Sequence, residues 1–339
     1  MMQPEDVTIP EHGQLTQLAS DVYWARFQLP FRLNHINLYF FDLGDSWTVI
    51  DCGLFDDATA SHWADLLAGP LADKPITKII VSHHHVDHIG YAEKLFQITG
   101  AEVFTSEDEL LHAAWLHGHE SDAFTNLIGD VYTAYGFDEE TINIGRSDPD
   151  RYRRYVPDLP PMTVLNKGDI IPSRDGAWHV RIDAGHSSGH ISLHDAERGL
   201  YLAVDFLLPR ISPNVSADFR KLDHDQLGAY LTYLSAIQQV ITPQTLVLPG
   251  HDWPFRGGNA RAASLITHHQ HRLDQLRQAL TSAPLTTASA LDVLFGRVFG
   301  PHEVYFAAGE ARAHLNHLVA LGDAAKTKMD GVDIFSLAA

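Results

Sequence analysis

The segment VSHHHVDHIG, residues 81–90, places four histidines and one aspartate directly after a short apolar run. It contains the pattern His-x-His-x-Asp-His, formed by His83, His85, Asp87 and His88. Side chains alternate along a strand, so the first two histidines can share one ion, and the last two residues can turn towards a second. Imidazole nitrogen and carboxylate oxygen suit Zn²⁺, and also Fe or Mn. The segment therefore predicts half of a metal site.

Three further polar residues stand where apolar strands are expected to end. His186 lies in IDAGHSSGH, Asp205 in LYLAVDFLL and His251 in LVLPGHDW. An unpaired carboxylate inside an apolar run would be costly, which favours a ligand role for Asp205. The predicted centre has two ions, one held by His83, His85 and His186 and the other by Asp87, His88 and His251, with Asp205 bridging them.

Composition limits the class of protein. The chain has 339 residues, which is enough to bury a large core, and 45% of them are hydrophobic, which is typical of a soluble globular protein. A formal charge of −19 argues against a nucleic-acid partner, because phosphate binding needs a basic face. No apolar run predicts a membrane span, and the first residues do not resemble a signal peptide. A single cysteine, Cys52, fits a reducing cytoplasm. We therefore expect a soluble cytoplasmic protein.

Hydrophobic periodicity predicts two domains. Residues 1–255 alternate strand and helix signals typical of a layered α/β or α+β core. Within them, residues 107–165 read as a mostly helical insertion, and long insertions often form lids. Residues 256–339 read as a separate C-terminal helical domain.

The order of motifs resembles the metallo-β-lactamase-fold hydrolases, in the glyoxalase II-like and LACTB2-like branches. The motifs are VIDCG, SHHHVDH, AGHSSGH, AVDF and LPGHDW, and the resemblance covers residues 22–253. It implies an αββα sandwich, a dinuclear site that is most often zinc, and a winged-helix-type C-terminal appendix. Class B β-lactamases commonly place cysteine or histidine where this chain has Asp205, so β-lactam hydrolysis is not expected.

Two more residues are candidates to support the ligands. Asp51 can hold a ligand histidine by a hydrogen bond, or can cap the turn that follows it. His190 can contact a ligand, line the pocket or be purely structural. Substrate-binding residues are not assigned.

The expected reaction is hydrolysis of a small acyl substrate. A hydroxide shared by two ions ~3.5 Å apart attacks the acyl carbon, and the ions stabilise the oxyanion. Asp87 is the candidate catalytic residue that receives a proton. The resemblance favours a thioester, such as an acyl-CoA or glutathione conjugate, with lactones and simple esters next. Association as a homodimer stays open.

Three other functions remain as alternatives. Mononuclear iron dioxygenases of this fold use a similar histidine loop, and iron content with oxygen uptake would identify one. Some chains of this fold are non-catalytic regulatory or binding proteins, although all seven ligand types are intact here. A nuclease is disfavoured by the negative charge.

Other candidate residues receive ordinary interpretations. Strand alternation turns His84 away from the ligands. The helical HHQH motif predicts a solvent-exposed face rather than a second metal site. Tyr132 and Tyr135 predict either a packing stripe or a lid that contacts substrate. A basic cluster that could receive an anionic substrate is formed by Arg151, Arg153 and Arg154.

Overall fold

A computed structural model of the protein describes residues 8–296 and 301–338. Its first sheet has seven strands in sequential order, antiparallel from the first to the fourth and parallel from the fourth to the seventh. Its strands are β1 (Leu15–Ala19), β2 (Val22–Gln28), β3 (His35–Asp42), β4 (Trp47–Ile50), β5 (Ile76–Ile80), β6 (Glu102–Thr105) and β7 (Met162–Val164).

Helices cover the outer face of this sheet. The strand β3 is buried along its whole length, and its side chains alternate between the outer and inner faces, as period-two geometry requires. Leu38 and Phe40 pack outwards with Trp63, whereas Tyr39 and Phe41 pack inwards. The helices on this side are α1 (Asp57–Ala68), the short α2 (Val86–Ile89) and α3 (Ala92–Thr99).

Four helices lie between β6 and β7. They are α4 (Glu107–His117), α5 (Ser121–Tyr135), α6 (Glu139–Arg146) and α7 (Arg151–Tyr155). The mostly helical segment predicted from the sequence is therefore present. Its last residues also form β7, an edge strand of the first sheet that periodicity did not predict.

The second sheet packs face to face against the first. Its strands, in spatial order, are β12 (Leu246–Pro249), β11 (Leu200–Val204), β10 (His190–Asp195), β9 (Gly176–Asp183) and β8 (Ile170–Ser173). Neighbouring strands are antiparallel except for the parallel pair β11 and β12. Phe41 of the first sheet stacks on Trp178 of the second, with ring centroids 4.5 Å apart. The helix α8 (Gln226–Val240) lies between β11 and β12 in the chain. This arrangement confirms the αββα sandwich.

The C-terminal segment contains the expected helices and a β-hairpin that periodicity did not predict but that a winged-helix-type appendix includes. They are α9 (Gly258–Leu280), α10 (Thr287–Phe295), α11 (Pro301–Ala320), β13 (Ala324–Met329) and β14 (Val332–Leu337). Residues 297–300 of the predicted helical stretch lie outside the described residues. Phe335 of β14 joins a hydrophobic cluster that continues into α8 and β11. The division at residue 255 therefore stays a prediction. Among the described helices, none combines the length and apolar character that a membrane crossing needs.

Candidate metal centre

The seven predicted ligands meet at one edge of the sandwich, where strands from both sheets end. The histidine-rich loop follows β5, and His186, Asp205 and His251 come just after β9, β11 and β12. Three non-glycine residues at this edge have a positive φ: Asp51 (64°), Val204 (47°) and Asp252 (69°). Such backbone conformations cost about 1–3 kcal/mol each and persist only where surrounding structure enforces them. The edge is therefore built at some cost to stability.

The first ligand group brings three imidazoles together. Nδ1 of His85 lies 2.9 Å from Nε2 of His83 and 3.0 Å from Nε2 of His186. The two Nε2 atoms of His83 and His186 are 3.3 Å apart. With Asp205, these residues place one potential ligand atom each within 4.8 Å of one another, so they could hold an ion.

The second group contains Asp87, His88 and His251, which could also hold an ion. Oδ2 of Asp87 lies 3.8 Å from Nε2 of His88 and 3.6 Å from Nε2 of His251. The side chain of Asp87 keeps 17% of its surface exposed, whereas both imidazoles are buried. The carboxylate of Asp87 therefore forms the open side of this group.

Asp205 stands between the two groups. Its Oδ2 atom lies 3.5 Å from Nε2 of His186 in the first group. The same oxygen lies 3.5 Å from Nε2 of His88 and 3.3 Å from Nε2 of His251 in the second. One carboxylate thus reaches imidazoles delivered by three different strands.

Hydrogen bonds on the outer side of the rings fix their orientation. Nδ1 of His186 donates to the carbonyl of Asn214 at 2.8 Å, and Nδ1 of His251 donates to the carbonyl of His35 at 2.7 Å. Nδ1 of His88 donates to Asp51 at 2.8 Å. A proton held at Nδ1 leaves the Nε2 lone pair facing the other ligands, as metal-binding histidines require.

The buried charges of the site are strongly coupled. Burial, and then the neighbouring imidazoles, hold the pKa values of His83 and His85 well below the ordinary value, so these rings are neutral. Burial would also lower the pKa of His88, but Asp51, Asp205 and Asp87 raise it well above the ordinary value. Burial would raise the pKa of Asp205, yet His251 and His88 hold it well below the usual range. The carboxylate of Asp205 is therefore ionised.

The residues fit a bound cation. Among the described residues, Nε2 of His88 and Oδ1 of Asp205 are buried atoms without a hydrogen-bond partner. Buried polar atoms are normally paired, so two unpaired polar atoms at one site call for a partner. A cation bound there would replace the proton that the three carboxylates otherwise favour on His88. Neutral imidazole and ionised carboxylate are the donor types that Zn²⁺ takes.

Asp51 and His190 both touch predicted ligands. Asp51 accepts hydrogen bonds from Ser82 N at 2.7 Å and Ser82 Oγ at 2.8 Å, in addition to the one from His88. His190 stacks on His83 with ring centroids 4.7 Å apart, and its Nε2 accepts from the backbone N of Asp205 at 3.4 Å. Both residues therefore lie directly behind ligand candidates.

Sequence reasoning missed a second supporting carboxylate, Glu109. Its Oε2 atom accepts from Nδ1 of His84 at 2.6 Å, which agrees with the interpretation of His84 as turned away from the ligands. Opposite charge and hydrogen bonds hold the pKa of Glu109 well below its usual range, although burial alone would raise it. From the sequence, Glu109 could have been identified only by the helical periodicity that places it on the buried face of the first turn of α4.

The expected solvent-exposed face of the HHQH motif includes Gln270 and His271 but not His269. His269 of the HHQH motif is fully buried and not on a solvent-exposed face, because α11 covers that side of α9. It lies near Glu310 and His314, with its Nδ1 atom 3.1 Å from Nε2 of His314. Arg272 forms an ion pair with Glu310. The negative charge of this carboxylate is therefore balanced by a side chain and does not require a metal ion.

Of the two alternatives for Tyr132 and Tyr135, the structure favours the packing stripe. Tyr132 and Tyr135 are buried in a hydrophobic cluster that includes Ala308 of α11, so they pack between helices. The proposed basic cluster is also neutralised in part, because Arg153 pairs with Asp150 and Arg154 pairs with Asp148.

Comparison with known proteins gives consistent matches. Residues 32–278 match the family model for the metallo-beta-lactamase superfamily, and residues 273–338 match the model for a metallo-beta-lactamase-like C-terminal domain. The probable metallo-hydrolase YqjP of Bacillus subtilis (strain 168) is 24% identical over 313 residues, covering 88% of this chain and 92% of that protein. The acyl-coenzyme A thioesterase MBLAC2 of Gallus gallus is 25% identical over 241 residues, covering 69% of this chain and 78% of that protein.

A solved structure extends the match to nearly the whole chain. The crystal structure of a beta-lactamase domain protein from Burkholderia ambifaria superposes with a TM-score of 0.88 at 31% identity. The superposition covers 98% of this chain and 95% of that one.

Proposed function

Because this chain belongs to the metallo-β-lactamase superfamily, we propose that it is a zinc-dependent hydrolase with two ions per chain. The observation that carries the proposal is the position of Asp205. Its Oδ2 atom lies within 3.3–3.5 Å of imidazoles from both ligand groups. A buried carboxylate shared in this way is the arrangement expected for a residue that bridges two cations.

We assign the seven residues to two ions. The first ion would be held by His83, His85 and His186, the second by Asp87, His88 and His251, and both by Asp205. Two divalent ions held there would lower the pKa of a bound water to near neutrality and would stabilise negative charge that develops on a carbonyl oxygen. The imidazoles of His83, His88 and His251 are buried, and a less polar environment strengthens those electrostatic effects.

Asp87 is the residue proposed to take up a proton. Two of the seven ligand candidates are carboxylates. The side chain of Asp87 is the more exposed of the two, with 17% of its surface accessible against 7% for Asp205. A carboxylate that faces both the site and solvent can accept a proton during attack and release it to water. Asp205, which is buried and held in its ionised form, is not suited to that exchange.

The proposed substrate class is the thioester, such as an acyl-CoA or a glutathione conjugate. A thiolate leaves without strong proton donation, since the pKa of a free thiol is about 8.5. A relative named acyl-coenzyme A thioesterase supports the same class. Lactones and simple esters are the next candidates. The ion pairs of Arg153 and Arg154 make that cluster a poor receptor for an anionic substrate.

A substrate panel tests the proposal. Purified protein would be assayed with an acyl-CoA, an acyl-glutathione, an acyl-homoserine lactone, a cephalosporin and a phosphodiester, with metal content measured on the same sample. We expect about two zinc ions per chain and turnover of a thioester or lactone. Asp205→Asn, prepared identically, is the control for contaminating host esterases.

Three results would contradict the proposal. Turnover of the cephalosporin alone would overturn the substrate class. One iron per chain with oxygen uptake would favour a dioxygenase instead. Full activity in the Asp205→Asn variant would show that the measured turnover does not come from this site.

A further inference from the structure

The carboxylate of Glu109 connects two loops that deliver ligands. Its Oε2 atom accepts from the backbone N of His84 at 2.9 Å and from Nδ1 of the same residue at 2.6 Å. Its Oε1 atom accepts from Ser187 Oγ and from Gly189 N, each at 2.7 Å. His84 stands between His83 and His85, and Ser187 follows His186. All three imidazoles of the first ligand group are therefore next to a residue that Glu109 holds.

The first turn of α4 reinforces this connection. Ser106, the N-cap of α4, accepts from Glu109 N and donates to the carbonyl of Gly189 at 2.5 Å. A Cβ atom added to Gly189 would come within 2.7 Å of Ser106 Oγ and of Asp108 Cβ. Only glycine allows the loop to approach the helix this closely.

The same loop is held from its other side by α8. Nε2 of Gln226 donates to the carbonyl of Gly185 at 2.9 Å and to that of Ser187 at 3.2 Å. Residues 185–189 are thus fixed between two helices. Because Glu109 also holds His84, a shift of its carboxylate would alter the position of His186 relative to His83 and His85.

We propose that Glu109 is a positioning residue that sets the affinity of the first ion, an inference that rests on the proposed dinuclear centre. Its carboxylate is 1% exposed and accepts four hydrogen bonds, so it is rigidly held. Partners behind metal ligands commonly change metal affinity by about 10- to 100-fold when they are replaced.

Asp51 provides support for the second ion. It holds His88 by a direct hydrogen bond of 2.8 Å. It also binds Ser82, whose Oγ lies 3.0 Å from Nδ1 of His83, so Asp51 supports ligands of both ions. The hydrogen bonds of Glu109 go only to residues beside ligands of the first ion, so replacing Glu109 should weaken that ion selectively, which a purely structural role would not do.

The test is chelator competition with Zn²⁺ on the full chain, which yields two dissociation constants. Glu109→Gln keeps the size of the side chain but removes its charge, and its amide nitrogen cannot accept hydrogen bonds. Glu107→Gln changes an exposed carboxylate in the same helical turn and is the matched control. His186→Ala and His251→Ala identify which constant belongs to which ion. Co²⁺ absorption spectra give a second readout of the first ion's geometry.

We expect Glu109→Gln to weaken the ion that His186→Ala affects by about 10- to 100-fold, with the other ion unchanged. Asp51→Asn should weaken the ion that His251→Ala affects and, through Ser82 and His83, should also weaken the first ion, whereas Glu107→Gln should match the parent. If Glu109→Gln does not fold, Ser187→Ala, which removes one donor, should weaken the same ion more modestly.

Equal zinc constants in Glu109→Gln and the parent, accompanied only by a lower melting temperature, would overturn the inference. Equal constants in Ser187→Ala would overturn it where Glu109→Gln does not fold. A parent protein that binds no zinc would instead overturn the dinuclear centre itself, so the two failures are distinguishable.

Discussion

Oδ2 of Asp205 lies 3.3 Å from Nε2 of His251, although the two residues belong to different ligand groups. The contact arises because β11 and β12 are parallel neighbours whose carboxyl ends meet at the same edge. It places a carboxylate of the second sheet at the centre of the site. Two predictions follow from this position of Asp205.

Asp205→Asn should reduce the zinc content from about two ions to one or fewer per chain, because an amide offers one neutral oxygen in place of an anionic bridge. Turnover should fall at least 100-fold, and the circular dichroism spectrum should remain that of the parent. Elemental analysis and activity on the same preparation check this. Retention of both ions with parental turnover would refute the bridging role.

Removal of the ions should destabilise the fold. A ligand that binds only the folded state, at a free concentration about 1,000 times its dissociation constant, adds about 4 kcal/mol to the free energy of unfolding. Chelation should therefore lower the melting temperature markedly. Without cations, the ionised carboxylate of Asp205 has neighbouring imidazoles, such as those of His251 and His88, as its source of positive charge. Calorimetry with and without chelator measures the effect.

The same chelator should change the melting temperature of Asp205→Asn much less, since that variant has less metal to lose. An equal shift in both proteins would show that the effect does not depend on this site.

Tyr135 should affect stability and not substrate affinity. Its ring is fully buried, and its hydroxyl is a buried polar atom without a hydrogen-bond partner among the described residues. Tyr135→Ala should cost about 3–5 kcal/mol of unfolding free energy through the cavity it leaves. Tyr135→Phe should be neutral or stabilising by about 1 kcal/mol, because it removes an unsatisfied group.

Urea unfolding and Michaelis parameters for both Tyr135 variants check the prediction. A changed KM in Tyr135→Phe, with stability unchanged, would instead indicate that Tyr135 contacts substrate.

The buried histidines of the C-terminal segment should make the protein sensitive to acid. Burial, and next His314, lower the pKa of His269 to about 2. Burial also lowers the pKa of His314 to about 3, aided by Arg272. An unfolded histidine titrates near 6.5, so between pH 6.5 and 3 the unfolded chain binds more protons than the folded one.

Stability should therefore fall as the pH drops below about 6.5, by up to about 2 kcal/mol per buried histidine at pH 5. His269→Gln should show a shallower dependence in urea unfolding at pH 7.5 and 5. His271→Gln, at an exposed position of the same helix, should follow the parent. Identical slopes in all three proteins would contradict the assignment.

The sequence by itself determined which residues form the candidate centre. The spacing of His83, His85, Asp87 and His88 is local, and the alternation expected of a strand predicted that His84 turns away, although these residues lie in the loop after β5. Asp205 stood out because a carboxylate inside an apolar run needs a partner. The strands around the site and the helices of the insertion follow from periodicity, which depends only on near neighbours in the chain.

Only the tertiary structure decided what surrounds those residues. Glu109 is an ordinary helical glutamate until α4 packs against the loops of His84 and Ser187. His269 looks exposed on its own helix and becomes buried when α11 covers it. The physical reason is the same for both residues. Periodicity reports the face of an element on which a side chain lies, whereas burial and hydrogen-bond partners depend on which distant element packs over that face.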